Sequence, residues 1–170
     1  MPDNFKIEPL GKKHDRAAFS CGKESLDQYL KNQAGQAAEK NLAAVFILTA
    51  DGIKIDGYYT LSSYAVTLDE IPTEIAKKLT RMQEIPATLL GRLARSINLR
   101  GQRIGGILLV DALKRALQNS ASVASWAVIV DSKDEEAAEF YKRYGFIPFP
   151  NKPHRLFLPM QSIHKMFLQE

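Results

Sequence analysis

The stretch from Ala87 to Tyr144 constrains the fold of this 170-residue chain more than any other. Its hydrophobic period changes in a set order. ATLLGRLARSI (Ala87 to Ile97) reads as a strand and runs into the glycine- and arginine-rich LRGQRIGG. GGILLVDALKRALQN then carries apolar residues at helical spacing. SWAVIVDS (Ser125 to Ser132) is an apolar run of strand length, read as a buried strand. KDEEAAEFYKRY returns to a helical pattern, with acids in its first turn and bases in its last, as the helix dipole favours. Ser132 and Glu135 form a capping-box pattern ahead of it, and Gly145 ends it. Strand, loop, helix, strand, helix in this order calls for an α/β sheet with helices on its faces.

The flanking segments fit that class. ESLDQYLKNQAGQAAEKN reads as one helix, with Ser25 and Gln28 as a capping box and Leu26, Tyr29, Leu30, Ala34, Ala37 and Ala38 on its apolar face. AAVFILTA (Ala43 to Ala50) ends at the turn pair Asp51-Gly52, and KIDGYYTLSSYAVTL follows, so the two read as neighbouring antiparallel strands. PTEIAKKLTRM is a short helix with Pro72 near its start, and FIPF and RLFLPM are late strands. No repeat, low-complexity tract or linker divides the chain, and its length suits one domain over residues 1–170.

Charge is unevenly placed. From Ile85 to Val110 there are four arginines (Arg92, Arg95, Arg100, Arg103) and no acid. From Tyr141 to Gln169 there are five bases (Lys142, Arg143, Lys152, Arg155, Lys165) and no acid. Two such stretches suit a face that meets phosphates, although a solvated surface would look the same. No apolar run is long enough to span a membrane, and the start MPDNFKIEPL has no signal-peptide pattern. The single cysteine, Cys21, cannot close an internal disulfide, so a reducing, cytoplasmic setting is the expectation. His14, His154 and His164 have no metal-ligand spacing, and no metal is expected.

The glycine loop is the candidate for chemistry. Amides at a helix N-terminus have no partner within the helix, glycines let a ligand approach the backbone, and the dipole favours an anion. Arg100 and Arg103 add positive charge. A nucleotide-hydrolysing P-loop is excluded, because Ile107 and Leu108 stand where its Lys and Ser/Thr belong. The dinucleotide fingerprint G-x-G-x-x-G is absent as well.

RGQRIG (Arg100 to Gly105) resembles the pyrophosphate signature Q/R-x-x-G-x-G/A of the GNAT N-acetyltransferases, and EFYKRYGF (Glu139 to Phe146) resembles their F-Y-x-x-x-G-F element. With FSCGKESLDQYLKNQA, GYYTLSS, LLGRLARS and HRLFLPM, the chain resembles GNAT-type toxins of bacterial toxin–antitoxin modules from about Phe19 to Met160. The resemblance implies the GNAT fold, a mixed central β-sheet with helices on both faces, and acetyl-CoA as cosubstrate. It puts the pantetheine arm on the backbone of Leu93, Ala94 and Arg95. It puts the pyrophosphate on the amides of Arg100, Gly101, Gln102, Arg103, Ile104, Gly105 and Gly106. Tyr141, the tyrosine of the F-Y pair, becomes the acid that protonates the leaving thiolate; Tyr144 is a second candidate by residue type only. Arg103 departs from the pattern, standing where the signature has its first glycine, and is expected to point outward.

The implied reaction is direct acetyl transfer to the α-amine of aminoacyl-tRNA, which blocks translation. Such an amine titrates near neutrality and needs little help from a base. No residue pattern offers a nucleophile, and Cys21 reads as a packing residue. On helix spacing alone Phe140, three residues after Ala137, is a better core residue than Tyr141. Arg92, Arg95, Lys142 and Arg143 are the residues expected to meet tRNA phosphates. A ribbon-helix-helix antitoxin is the implied protein partner, and a homodimer is compatible with the resemblance. Two other readings remain: an acetyltransferase for a small amine or a protein N-terminus, and a non-catalytic GNAT-fold protein that binds nucleic acid or a partner.

Overall fold

A computed structural model describes residues 4–79 and 82–169 of the chain. Seven strands and six α-helices follow in the order β1 (Lys6–Pro9), α1 (Glu24–Asn32), α2 (Ala34–Glu39), β2 (Ala44–Thr49), β3 (Gly57–Thr67), α3 (Thr73–Ala76), β4 (Glu84–Arg95), α4 (Ile104–Ser120), β5 (Ala127–Asp131), α5 (Glu135–Arg143), β6 (Ile147–Phe149), β7 (Lys152–Pro159) and α6 (Met160–Leu168). The strands order as β1-β2-β3-β4-β5-β7-β6. The sheet is mixed: β4 and β5 run parallel, whereas β1–β2, β2–β3, β5–β7 and β7–β6 are antiparallel. The chain divides into two compact units, residues 1–62 with 91–112, and residues 63–90 with 113–170.

In the first unit, β2 and β3 form the expected hairpin, with Phe46 opposite Tyr59 and their rings stacked at 5.2 Å. Asp51 closes the turn: its Oδ1 accepts the amides of Ile53 at 2.8 Å and Lys54 at 2.7 Å, while Gly52 takes φ +85°. The single helix expected from Glu24 onward is two helices. The chain breaks at Gln33, whose ψ of −33° goes with a φ of −125°, outside helical range. The expected Ser25–Gln28 capping box is not formed, because α1 starts at Glu24 and Ser25 already lies inside it. At Gly35 a Cβ would lie 2.5 Å from Arg16 Nη1, the movable end of that side chain. Leu26, Tyr29, Leu30 and Ala34 bury against Val45, Ile47 and Tyr58, as the helical spacing required.

The second unit packs Val66, Ile71, Ile85 and Ala87 against Ala127, Ile129, Phe149 and Phe157. Phe157 is the hub, 4.9 Å from the Phe149 ring and 5.3 Å from Trp126. Thr88 pairs with Val128 and Leu90 with Val130. α3 is shorter than its sequence pattern, and the Thr80–Arg81 part of that expectation lies outside the described residues. The cap of α5 is Asp134, not Ser132: Asp134 Oδ1 accepts the Ala137 amide at 2.8 Å. Ser132 instead binds β7, its amide and hydroxyl both donating to His154 O at 2.8 Å. Gly145 ends the helix at φ +96°. β1 and α6 carry no signal strong enough to have been read from sequence.

Candidate active site

The strand before the glycine loop is held closely. A Cβ on Gly57 would lie 3.1 Å from Ala94 O and 2.9 Å from Leu108 Cδ1, so only glycine lets β3 approach β4 and α4 here. Ser96 is buried; its amide donates to Asp56 O at 2.8 Å and its hydroxyl accepts the Asn98 amide at 3.3 Å. A 3-10 turn over Ile97–Leu99 then leads into the loop. Leu93 and Arg95 are half-buried around the buried Ala94.

The loop itself has the conformation that glycine favours, at two positions. Gly101 takes φ +84° with nothing within 4 Å of an added Cβ. Arg103, standing at the signature's glycine, takes φ +59°. A left-handed conformation at a residue with a Cβ costs about 1–2 kcal/mol. That cost explains why glycine suits this position. Arg100, Gly101, Gln102 and Arg103 are exposed, Ile104 is fully buried, and Gly105 and Gly106 are half-buried. Among the described residues, the first amide of this turn to find a backbone acceptor is that of Ile107, bonded to Arg103 O at 3.3 Å. The amides of Arg103, Ile104, Gly105 and Gly106 therefore stay open, and neither Arg100 nor Arg103 has a carboxylate partner among the described residues. Four open amides, a helix N-terminus and two exposed arginines are chemistry suited to an anion. Inside α4, Asp111 accepts a 2.5 Å hydrogen bond from Tyr59, which joins the helix to β3.

Tyr141 belongs to the second unit. It is 8% exposed and packs between the rings of Phe140 at 5.2 Å and Phe146 at 5.4 Å. The burial order is the reverse of the helix-spacing expectation, for Phe140 is only half-buried. Among the described residues the Tyr141 hydroxyl makes no hydrogen bond, and no fully buried polar side-chain atom lacks a partner. The residue's small exposed area therefore includes the hydroxyl. Burial raises its phenol above the usual value and keeps it protonated. Tyr144 is half-buried at 5.3 Å from the Phe140 ring.

The second basic stretch is less free than it reads in sequence. Arg155 is fixed by Asp131, with Nε 2.7 Å from Oδ1, and also bonds Tyr64. Lys152 pairs with Glu70 at 3.4 Å and Lys142 with Glu139 at 3.5 Å. Asp131 and Glu70 come from other elements, where counting along the chain does not find them, and Glu139 lies one helical turn before Lys142. Arg143 is exposed and has no ion pair among the described residues. In the first stretch, Arg92 stacks its guanidinium on the Tyr29 ring, 3.6 Å from the centroid. The sequence placed Tyr29 only on an apolar helix face. Cys21 is poorly placed to act as a nucleophile: burial and Asp27 push its thiol up to about 11. His14 is buried between Glu8, at 2.7 Å from Nε2, and the Gly11 amide, a structural arrangement. Among the described residues no group of three His, Cys, Asp or Glu side chains could hold a metal ion.

No protein-family model matches the chain. It is 30% identical over 169 residues to the probable toxin TacT of Sinorhizobium fredii, covering 94% of this chain and 93% of that one. It is 31% identical over 148 residues to a tRNA-acetylating toxin of Mycobacterium tuberculosis, covering 87% of each. The chain belongs to the family of tRNA-acetylating toxins of the GNAT type. Its fold agrees. AtaT complexed with acetyl-methionyl-tRNAfMet superposes with a TM-score of 0.89 at 30% identity, covering 96% of this chain and 99% of that one. A tyrosine-to-phenylalanine mutant of AtaT, bound to the C-terminus of the antitoxin AtaR and to acetyl-CoA, gives 0.82 at 28% identity, covering 97% and 99%. The mixed seven-stranded sheet with its helices is the GNAT fold that the motifs implied. Among the described residues no helix is long and apolar enough to cross a membrane.

Proposed function

We propose that this chain is an N-acetyltransferase that moves the acetyl group of acetyl-CoA onto the α-amine of aminoacyl-tRNA and thereby stops translation. The observation that carries the reading is the loop at the start of α4, with open amides from Arg103 to Gly106 beside Arg100 and Arg103. That receptor suits the pyrophosphate of CoA. The relatives supply the rest: an AtaT structure holds acetyl-CoA, and another holds acetyl-methionyl-tRNAfMet. On this reading residues 1–170 act as one catalytic domain.

The loop from Arg100 to Gly106 takes the pyrophosphate, and the backbone of Leu93, Ala94 and Arg95 pairs with the pantetheine amides. The neutral α-amine attacks the thioester carbonyl, forming the C–N bond. The tetrahedral intermediate collapses with cleavage of the C–S bond. The thiolate takes the Tyr141 proton, the amine gives its extra proton to water, and the phenolate regains a proton from water, so Tyr141 is restored. A protonated phenol is what this step needs, and the burial of Tyr141 supplies it. An aminoacyl α-amine, with a pKa of about 7.7–8.0 or lower, is sufficiently neutral without a dedicated base. Arg92, Arg95, Lys142 and Arg143 contact the phosphates of the tRNA. The chain is held inactive by a ribbon-helix-helix antitoxin, works as a homodimer, and acts in the cytoplasm where charged tRNA is used.

The test is transfer of labelled acetyl from acetyl-CoA to bulk charged tRNA, with uncharged tRNA and lysine peptides as controls. Label on charged tRNA alone is the expected result. Bound acetyl-CoA with no label on any RNA refutes the acceptor assignment.

A further inference from the structure

Arg92 differs from every other base in the two basic stretches. Arg155, Lys152 and Lys142 are each engaged by carboxylates. Among the described residues, Arg95, Arg100, Arg103, Arg143 and Lys165 have no ion pair and no aromatic ring orients them. Arg92 alone is oriented and unpaired together. One face of its guanidinium lies on Tyr29, 3.6 Å from the ring centroid. Tyr29 is itself fixed, 6% exposed and stacked on Tyr58 at 6.4 Å, and Tyr58 donates to Leu26 O at 2.7 Å. Among the described residues, no hydrogen bond or ion pair uses the Arg92 nitrogens. Among the described residues no fully buried polar side-chain atom lacks a partner, so each of those nitrogens keeps some exposure to solvent. A planar fork of donors, held by an aromatic platform and unspent on protein carboxylates, is a preorganised receptor for a bidentate anion.

Its position along β4 says which anion, and this step rests on the proposed cofactor site. There the pyrophosphate sits at residues 100–106 and the pantetheine runs back along Arg95, Ala94 and Leu93 toward its sulfur. Arg92 comes next, at the acetyl end of that path. Its side chain shares a strand face with Ala94, which packs with Tyr29, Phe19 and Tyr58. An anion at that end belongs to the acceptor and not to CoA. In an aminoacyl-tRNA the anionic group nearest the reacting amine is the 5′-phosphate of the 3′-terminal nucleotide. We infer that Tyr29 and Arg92 form the receptor for that phosphate and so select esters of a nucleotide over other α-amino esters.

The experiment compares two acceptors that differ by that group alone: 2′/3′-O-aminoacyl-adenosine 5′-monophosphate and the same aminoacyl-adenosine without phosphate. The wild type is expected to prefer the phosphorylated ester in kcat/KM by about 10- to 100-fold, the range of a charge-assisted bidentate contact. Arg92→Met, which keeps an apolar stem over Tyr29, is expected to collapse that preference to near unity, with the loss in KM. Tyr29→Leu removes the platform and is expected to reduce the preference in part. Acetyl-CoA affinity, measured separately, shows that each variant keeps its fold. A preference that survives Arg92→Met, or a wild type that does not distinguish the two esters, overturns the inference. If bulk charged tRNA is acetylated in those cases, the proposed function stands without it. If the wild type acetylates neither ester nor charged tRNA, both fall.

Discussion

Gly57→Ala tests the packing that positions β4, the strand proposed to hold the pantetheine arm. The added Cβ would stand 2.9 Å from Leu108 Cδ1 and 3.1 Å from Ala94 O. Leu108 is fully buried, so its methyl has little room to retreat. The carbonyl is backbone and moves only if β4 moves. Overpacking of this kind costs about 1–3 kcal/mol. Replacing glycine also narrows the unfolded ensemble, which returns about 0.4–1 kcal/mol. The net expectation is a loss centred on about 1.3 kcal/mol and at most about 2.6 kcal/mol, or a Tm lower by about 3–5 °C at the centre of that range for a chain of this size. The assay is thermal unfolding with and without acetyl-CoA. Relief of the clash displaces Ala94, so affinity for acetyl-CoA falls together with Tm. Gly101→Ala is the comparison, because its Cβ would meet nothing within 4 Å and its φ of +84° leaves only conformational strain. A Gly57→Ala protein as stable as wild type, binding acetyl-CoA equally well, would refute the claim that the close approach of β3 sets the position of β4.

Tyr141→Phe is expected to lower kcat by about 100- to 10,000-fold, the range for loss of a general acid. Its Tm should change little, since the hydroxyl makes no hydrogen bond among the described residues; turnover at the wild-type rate would exclude the residue as the acid. Because burial raises the Tyr141 phenol, the wild-type rate should climb through the amine's titration near pH 7–8 and show no falling limb before about pH 10, its usual value. Glu8 is held down to about 2 from 4.5 by its hydrogen bond to His14 and by Lys13. A depressed folded-state value gives stability that is present above about 4.5 and is lost as pH falls toward 2. Denaturation midpoints of Glu8→Gln should therefore depend less on pH across that window than those of wild type. The Cys21 thiol, pushed up to about 11 from 9.0, should react with a thiol reagent at neutral pH about tenfold more slowly than an ordinary cysteine, its smaller thiolate fraction being partly offset by the greater nucleophilicity of a more basic thiolate. Reaction at the ordinary rate would show Cys21 to be less enclosed than the structure has it.

Patterns that repeat within a few residues were legible in the sequence. The β2–β3 hairpin followed from Asp51-Gly52 between two apolar runs, and both features are as expected. The end of α5 at Gly145 followed from the need for positive φ. The capping residues did not follow, because Ser25, Ser132 and Asp134 are equivalent as residue types. Only Asp134 sits where its carboxylate meets the Ala137 amide, while Ser132 is taken by His154 O. Burial of Tyr141 over Phe140 was decided by Phe146, which returns on the far side of the Gly145 turn. The break at Gln33 has no sequence marker.

The sequence by itself determined the succession of strands and helices from β2 to β7, apart from the α1–α2 break, together with the family and the glycine-rich, positively charged character of the loop. Those depend on local backbone chemistry, glycine φ and the period of apolar residues, which short stretches carry whole. The tertiary structure alone decided which charges are free. Arg155 and Lys152 read as part of a basic stretch, yet they are bound by Asp131 and Glu70. Arg92 reads like its neighbours and is set apart by Tyr29, 63 positions earlier in the chain. Charge acts through space over a few ångströms, and the residues within that range of one another are chosen by the fold and not by adjacency in the chain.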